Sequence, residues 1–119
     1  MTQEKRAHPR YPIGVAFGVP IQITTSSGTI KGAIGDLSAG GLGIFTSAHL
    51  TPGTLVQFEF ILDSQKVLCA GEIVFKQERN AEFFYGFAFI DIPLEETQNL
   101  VEYRNHIQFI KISILDTPC

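Results

Sequence analysis

Leu55-Val56-Gln57-Phe58-Glu59-Phe60-Ile61-Leu62, followed by Asp63-Ser64-Gln65 and then Lys66-Val67-Leu68-Cys69-Ala70-Gly71-Glu72-Ile73-Val74-Phe75-Lys76, is the stretch that decides the fold. Leu55, Phe58, Phe60 and Leu62 fill a strand rich in aromatic residues, Asp63-Ser64-Gln65 forms a tight turn, and Val67 to Lys76 returns. Upstream, Thr51-Pro52-Gly53 separates this hairpin from an apolar segment, Leu42 to Phe45. Further upstream, Val15 to Thr25 reads as extended, with Ile21 and Ile23 alternating with polar neighbours. The Thr-Thr-Ser-Ser-Gly run ending at Gly28 is a turn signal, and Thr29 to Ile34 is its return strand. Asp36-Leu37-Ser38-Ala39-Gly40-Gly41 is rich enough in turn formers to end that strand. Downstream, Phe83 to Asp91 is a sixth strand, with Tyr85, Phe87 and Phe89 on one face. Six strands with turn chemistry between them, and no helical pattern to cross parallel strands over, predict a β-rich, six-stranded antiparallel barrel.

The pattern changes after Pro93. Leu100, Tyr103, Ile107 and Ile110 advance by three and four residues while Glu95, Glu96, Glu102, Arg104 and Lys111 are free to face water, which predicts an amphipathic helix over about 94–111. Glutamates at its start and a lysine at its end suit the helix dipole. Its apolar stripe is expected to close one end or side of the barrel, and the tail 113–119 to fray. The expected organisation is a flexible basic loop over 1–12, a barrel with its helix over 13–112, and that tail.

Composition narrows the function. The chain has 119 residues, 45% of them hydrophobic and 18% charged, which suits one globular domain and leaves no room for two catalytic ones. No apolar run approaches the ~20 residues of a membrane-spanning helix, and the polar start Met-Thr-Gln-Glu-Lys-Arg carries no secretory signal, so no membrane insertion and a cytoplasmic location are expected. A net charge of −3 argues against binding nucleic-acid polymers in general, so any anion must be caught locally. Basic residues concentrate once, at Lys5, Arg6 and Arg10. Cys69 reads as a core residue, and His8, His49 and His106 lack ligand spacing, so no metal is expected. Phe83, Phe84, Tyr85, Phe87 and Phe89 read as core packing. No GxSxG, HExxH or P-loop pattern is present, and an enzyme is not expected.

Two short constellations remain: Arg6-x-x-x-Arg10 and, about twenty-five residues on, Asp36-x-Ser38-x-x-Gly41. Here the sequence resembles the PilZ domain, a bacterial receptor module for the second messenger cyclic di-GMP, whose signature is RxxxR followed by [D/N]xSxxG. The resemblance covers nearly the whole chain, including the Tyr85-Gly86-Phe87 segment, and is closest to a free-standing, single-domain member. It implies a split-barrel fold with a C-terminal helix and a cyclic di-GMP site of Arg6, Arg10, Asp36, Ser38, Gly40 and Gly41, with no cofactor.

The implied ligand offers two phosphates and two guanines. An arginine fork pairs with phosphate oxygens or with guanine O6 and N7, and its flat face stacks on a ring. Asp36 can accept from a guanine N–H edge, Ser38 can bond phosphate or base, and Gly41 admits a flat ring close to the backbone. The bland counterpart is a turn that Asp36 and Ser38 cap and in which Gly40 and Gly41 supply positive φ. The implied output is control of motility, pili, exopolysaccharide or virulence through an unidentified effector protein. The rival is a PilZ-like interaction module of the type IV pilus assembly kind, which does not bind the nucleotide; this chain keeps the arginines that such members lack. Many members carry a third arginine beside the pair, where this chain has Lys5 and Ala7, which bears on whether one nucleotide or a stacked pair is held.

Overall fold

The computed structural model describes residues 11–12 (backbone alone), 20–63 and 65–115. Eight strands and one helix follow in order: β1 (Tyr11–Pro12), β2 (Ile21–Thr25), β3 (Gly28–Ser38), β4 (Gly41–Thr46), β5 (Leu55–Leu62), β6 (Gln65–Arg79), β7 (Glu82–Ile90), α1 (Leu94–Glu102) and β8 (Ile107–Ile114). The ladder runs β3-β2-β8-β5-β6-β7-β4 and closes through β4 onto β3, a seven-stranded barrel; β1 adds to the free side of the second half of β3. Closure leaves no long unpaired edge among these strands. Inside lie Phe58, Phe60, Phe87, Tyr85, Ile23, Leu37, Leu42, Ile44, Ile73, Ile110 and Ile112, all essentially inaccessible. Phe58 meets Phe87 and Phe89 edge to face, at centroid separations of 5.5 and 5.6 Å.

The six expected strands have counterparts, the first as Ile21–Thr25 because 15–19 lies outside the described residues, and the seventh barrel strand corrects the helix reading. The helix expected over 94–111 ends at Glu102, and after a 3-10 turn at Arg104–His106 the chain becomes β8, so Lys111, Ser113 and Ile114 belong to a strand rather than to a helix end or a frayed tail. A β-bulge explains the misleading spacing. Ile61 pairs with Phe109 and Leu62 with Ile107, leaving Gln108 as the extra residue, so Ile107 and Ile110 both face inward three positions apart. Ile110, Ile112 and Ile114 then alternate as a strand of β-branched residues should. The barrel is also not wholly antiparallel: α1 carries the chain into the gap between β5 and β2, and β8 therefore runs parallel to β2. Thr97 and Leu100 are the buried face of α1, whereas Leu94 and Tyr103 are about half exposed.

Candidate functional site

Ser38 and its neighbours belong to a β-turn between two paired strands. The turn formers do not end β3 at Ile34; the strand runs on to Ser38, pairing Leu37 with Leu42 and Ser38 with Gly41. It can do so because Gly35 is bulged out of the ladder: Ile34 pairs with Ile44 and Asp36 with Gly43. The bulge changes the side-chain parity, so that Ile34 and Leu37 both point into the core and Asp36 is turned to the outer wall. There its Oδ1 lies 3.1 Å from the position a Cβ on Gly43 would take.

Ser38 is 2% exposed and holds the turn from within: its Oγ accepts from Gly40 N (3.1 Å) and donates to Gly41 O (3.4 Å). Gly40 O accepts from Phe89 N at 2.9 Å, tying the turn to β7. Neither Gly40 nor Gly41 has positive φ. Gly41 is needed for a different reason. A Cβ there would run into the Phe87 carbonyl oxygen of the adjoining strand, with Phe87 C at 2.9 Å and Ala88 Cα at 3.1 Å. The motif glycine permits close strand packing, and the side of it on which a Cβ would stand is filled by β7.

The second motif is bordered by β1. Tyr11 pairs with Leu37 and Pro12 with Asp36, so the residue after Arg10 is laddered to the strand that carries Asp36 and Ser38. Arg6 and Arg10 themselves lie outside the described residues, as do His8 and Cys119. The structure thus brings together Asp36, Ser38, Gly40 and Gly41.

Around Asp36 the outer wall has a feature that sequence reading missed. A row of paired positions crosses four strands as Asp36, Gly43, Gly86 and Phe75. A second bulge, at Val74, parallels the one at Gly35: Ile73 pairs with Phe87 and Phe75 with Gly86, which turns Phe75 outward. The two glycines leave a floor without side chains. Phe84 leans over Gly43, Phe75 lies over Gly86 with its Cβ 3.1 Å from a virtual Cβ there, and Phe45 Cε2 comes 3.0 Å from that of Gly35. Phe45 and Phe84 are 4.7 Å apart by centroid. The core reading of the β7 aromatics therefore holds for Tyr85 and Phe87, which are buried, and for Phe83 and Phe89, which pack against the core, while Phe84 is on the outer face. Strict alternation from Tyr85 and Phe87 already implies this.

The remaining candidates have plain structural roles. Cys69 is 7% exposed, and burial, helped by the nearby Glu96 carboxylate, pushes its thiol up to about 12. His49 packs against Phe83 at 4.7 Å, and His106 Nδ1 meets Asp63 Oδ2 at 3.0 Å. No grouping of three or more His, Cys, Asp or Glu side chains fit to hold a metal occurs among the described residues. Nor, among them, is any helix long and apolar enough to cross a membrane.

Comparison with known proteins fits this geometry. Residues 4–105 match the PilZ domain family, a span that takes in both motifs, β1 to β7 and α1 and stops just short of β8. The chain belongs to the PilZ domain family. An uncharacterized protein of Aquifex aeolicus (strain VF5) is 31% identical over 90 residues, 75% of this chain; the chain spans 42% of that relative's length. Among solved structures, the PilZ domain with c-di-GMP of YcgR from Escherichia coli superposes with a TM-score of 0.61 at 18% identity, over 87% of this chain and 89% of that one. At that identity the likeness is one of fold, and the PilZ barrel it shares is the one described above.

Proposed function

We infer that this PilZ domain is a receptor for cyclic di-GMP, bound on the outer wall of the barrel between the RxxxR segment and the Asp36–Gly41 turn. The observation that carries the reading is the Gly35 bulge together with the β1 ladder. The bulge aims an acidic side chain out of a wall otherwise arranged to face it inward, and the ladder joins Tyr11, the residue after Arg10, to the same strand. Bulges re-aim side chains at functional sites, and this one buries both Ile34 and Leu37 while setting Asp36 on the outer wall. The solved PilZ domain of YcgR is one with c-di-GMP, which supports the same ligand here.

In this reading Arg6 and Arg10 supply guanidinium forks for phosphate and guanine, and Asp36 accepts from a guanine N–H edge. Ser38, buried and engaged at both ends of its turn, acts mainly by shaping the turn whose backbone faces the ligand. Gly40 and Gly41 keep that turn tight against β7. The domain acts by binding rather than by catalysis. Ordering the basic segment over the turn changes an exposed surface that an effector in motility, pilus, exopolysaccharide or virulence control reads in the cytoplasm.

Backbone amide chemical shifts during addition of cyclic di-GMP test the reading. Shifts concentrated at Asp36, Ser38, Gly40 and Gly41 are expected. No change at near-millimolar nucleotide would refute it and favour an interaction module that works without the ligand.

A further inference from the structure

Beyond the two motifs, the outer wall continues from Asp36 across Phe84 to the β6–β7 hairpin, where Arg79 and Glu82 stand opposite each other in the ladder. The Arg79 guanidinium carbon lies 5.2 Å from the Phe84 ring centroid and 5.8 Å from that of Phe45. Its Nε and one terminal nitrogen donate to Gln77 Oε1 at 3.2 and 2.9 Å, a neutral side chain that sets the orientation of the fork without cancelling its charge. Among the described residues Arg79 makes no ion pair, although Glu82 is its partner across the strands. Phe45, Arg79 and Glu82 line one open depression of about 480 Å³, within the size range of small-ligand sites.

We propose that Phe45, Phe84, Arg79 and Glu82 form a guanine-recognition site at the far end of the nucleotide-binding wall. The proposal rests on the cyclic di-GMP reading and deepens it. Guanine presents two acceptors, O6 and N7, on one edge and N–H donors on the adjoining one, and the depression offers a donor fork and a carboxylate to match. The phenyl rings, laid against a glycine floor, give the base a face to stack on. Adenine would set an amino group against the Arg79 fork and has no N1–H for Glu82, so the site discriminates between the two purines. The Phe84 ring joins this end to the motif: it covers Gly43, the same position that Asp36 Oδ1 borders.

Calorimetric titration of the full chain with cyclic di-GMP and, separately, cyclic di-AMP tests the site. Arg79 is exposed and Phe84→Leu keeps most of the apolar volume, so both variants should melt close to the wild type. Arg79→Ala is expected to weaken cyclic di-GMP binding about ten- to a hundredfold, and Phe84→Leu by at least about fivefold. Arg79→Lys should remain impaired because an ammonium lacks the fork. Glu82→Gln should narrow the preference over cyclic di-AMP. Lys111→Ala, an equal loss of charge on β8, should bind as the wild type does. Wild-type affinity in Arg79→Ala and Phe84→Leu, with binding impaired in Asp36→Ala, would overturn this site and leave the motif reading intact. Full recovery in Arg79→Lys would reduce Arg79 to a general charge and also overturn it. Absence of binding by the wild-type chain would remove both readings together.

Discussion

Replacing Gly41 by alanine tests what the motif glycine is for. Its φ is not positive, so backbone strain is no objection to a side chain there. The obstacle is the neighbouring strand: the new Cβ meets the Phe87 carbonyl oxygen, and Phe87 C and Ala88 Cα at 2.9 and 3.1 Å are backbone atoms that cannot rotate away. Relief requires β4 and β7 to separate locally. Overpacking of this kind costs about 1–3 kcal/mol. Separation also strains the Phe89 N to Gly40 O bond of 2.9 Å, where a lost hydrogen bond is worth about 1 kcal/mol. A total of about 2–4 kcal/mol corresponds, at about 3–6 °C per kcal/mol for a domain of this size, to a melting point lower by about 6–24 °C. Thermal unfolding followed by circular dichroism measures it. A Gly41→Ala protein melting within about 2 °C of the wild type would show that the strands are not packed as described, and would return Gly41 to a purely ligand-facing role.

Tyr85→Phe should lower the melting point by about 5–15 °C, because the buried hydroxyl donates to Ala48 O (2.6 Å) and accepts from Leu50 N (2.8 Å), and an orphaned buried group costs about 1–3 kcal/mol; an unchanged midpoint would contradict those bonds. For Cys69 the folded-state thiol holds its proton more tightly than the unfolded one, so its contribution to stability is complete below about pH 9 and is lost as pH rises toward about 12. Denaturant titrations from pH 8 to 10 should show a steeper decline for the wild type than for Cys69→Ala, and equal slopes would refute this. Saturating cyclic di-GMP should slow tryptic cleavage after Lys5 and Arg6, and equal rates with and without the nucleotide would count against ordering of that segment on binding.

The central hairpin was legible as two strands and a tight turn, with Phe58 and Phe60 inside as expected, although Val56 rather than Leu55 is the buried residue at its start. What escaped sequence reading lies at three bulges. At Gln108 the extra residue put Ile107 and Ile110 on one face and imitated a helical step. At Gly35 it carried a strand through a run of turn formers and reversed Asp36. At Val74 it turned Phe75 to the outer wall. A bulge has no fixed residue code beyond a tolerance for glycine, so local patterning cannot announce it. The local cap that Ser38 makes was legible, yet the structural duties of Gly40 and Gly41 depend on β7, some fifty residues away in sequence. Arg79 belongs to no spacing pattern; only the ladder that sets it beside Phe84 and opposite Glu82 makes it a candidate.

Isothermal titration of cyclic di-GMP into the full chain, alongside Asp36→Ala and Arg10→Ala, bears most directly on the claim that the re-aimed Asp36 and the basic segment form one nucleotide site. A saturable heat for the wild type is expected, weakened about ten- to a hundredfold in each variant as charge-assisted bonds are lost, with melting points little changed. No heat from the wild type, or wild-type affinity in both variants, would contradict the claim.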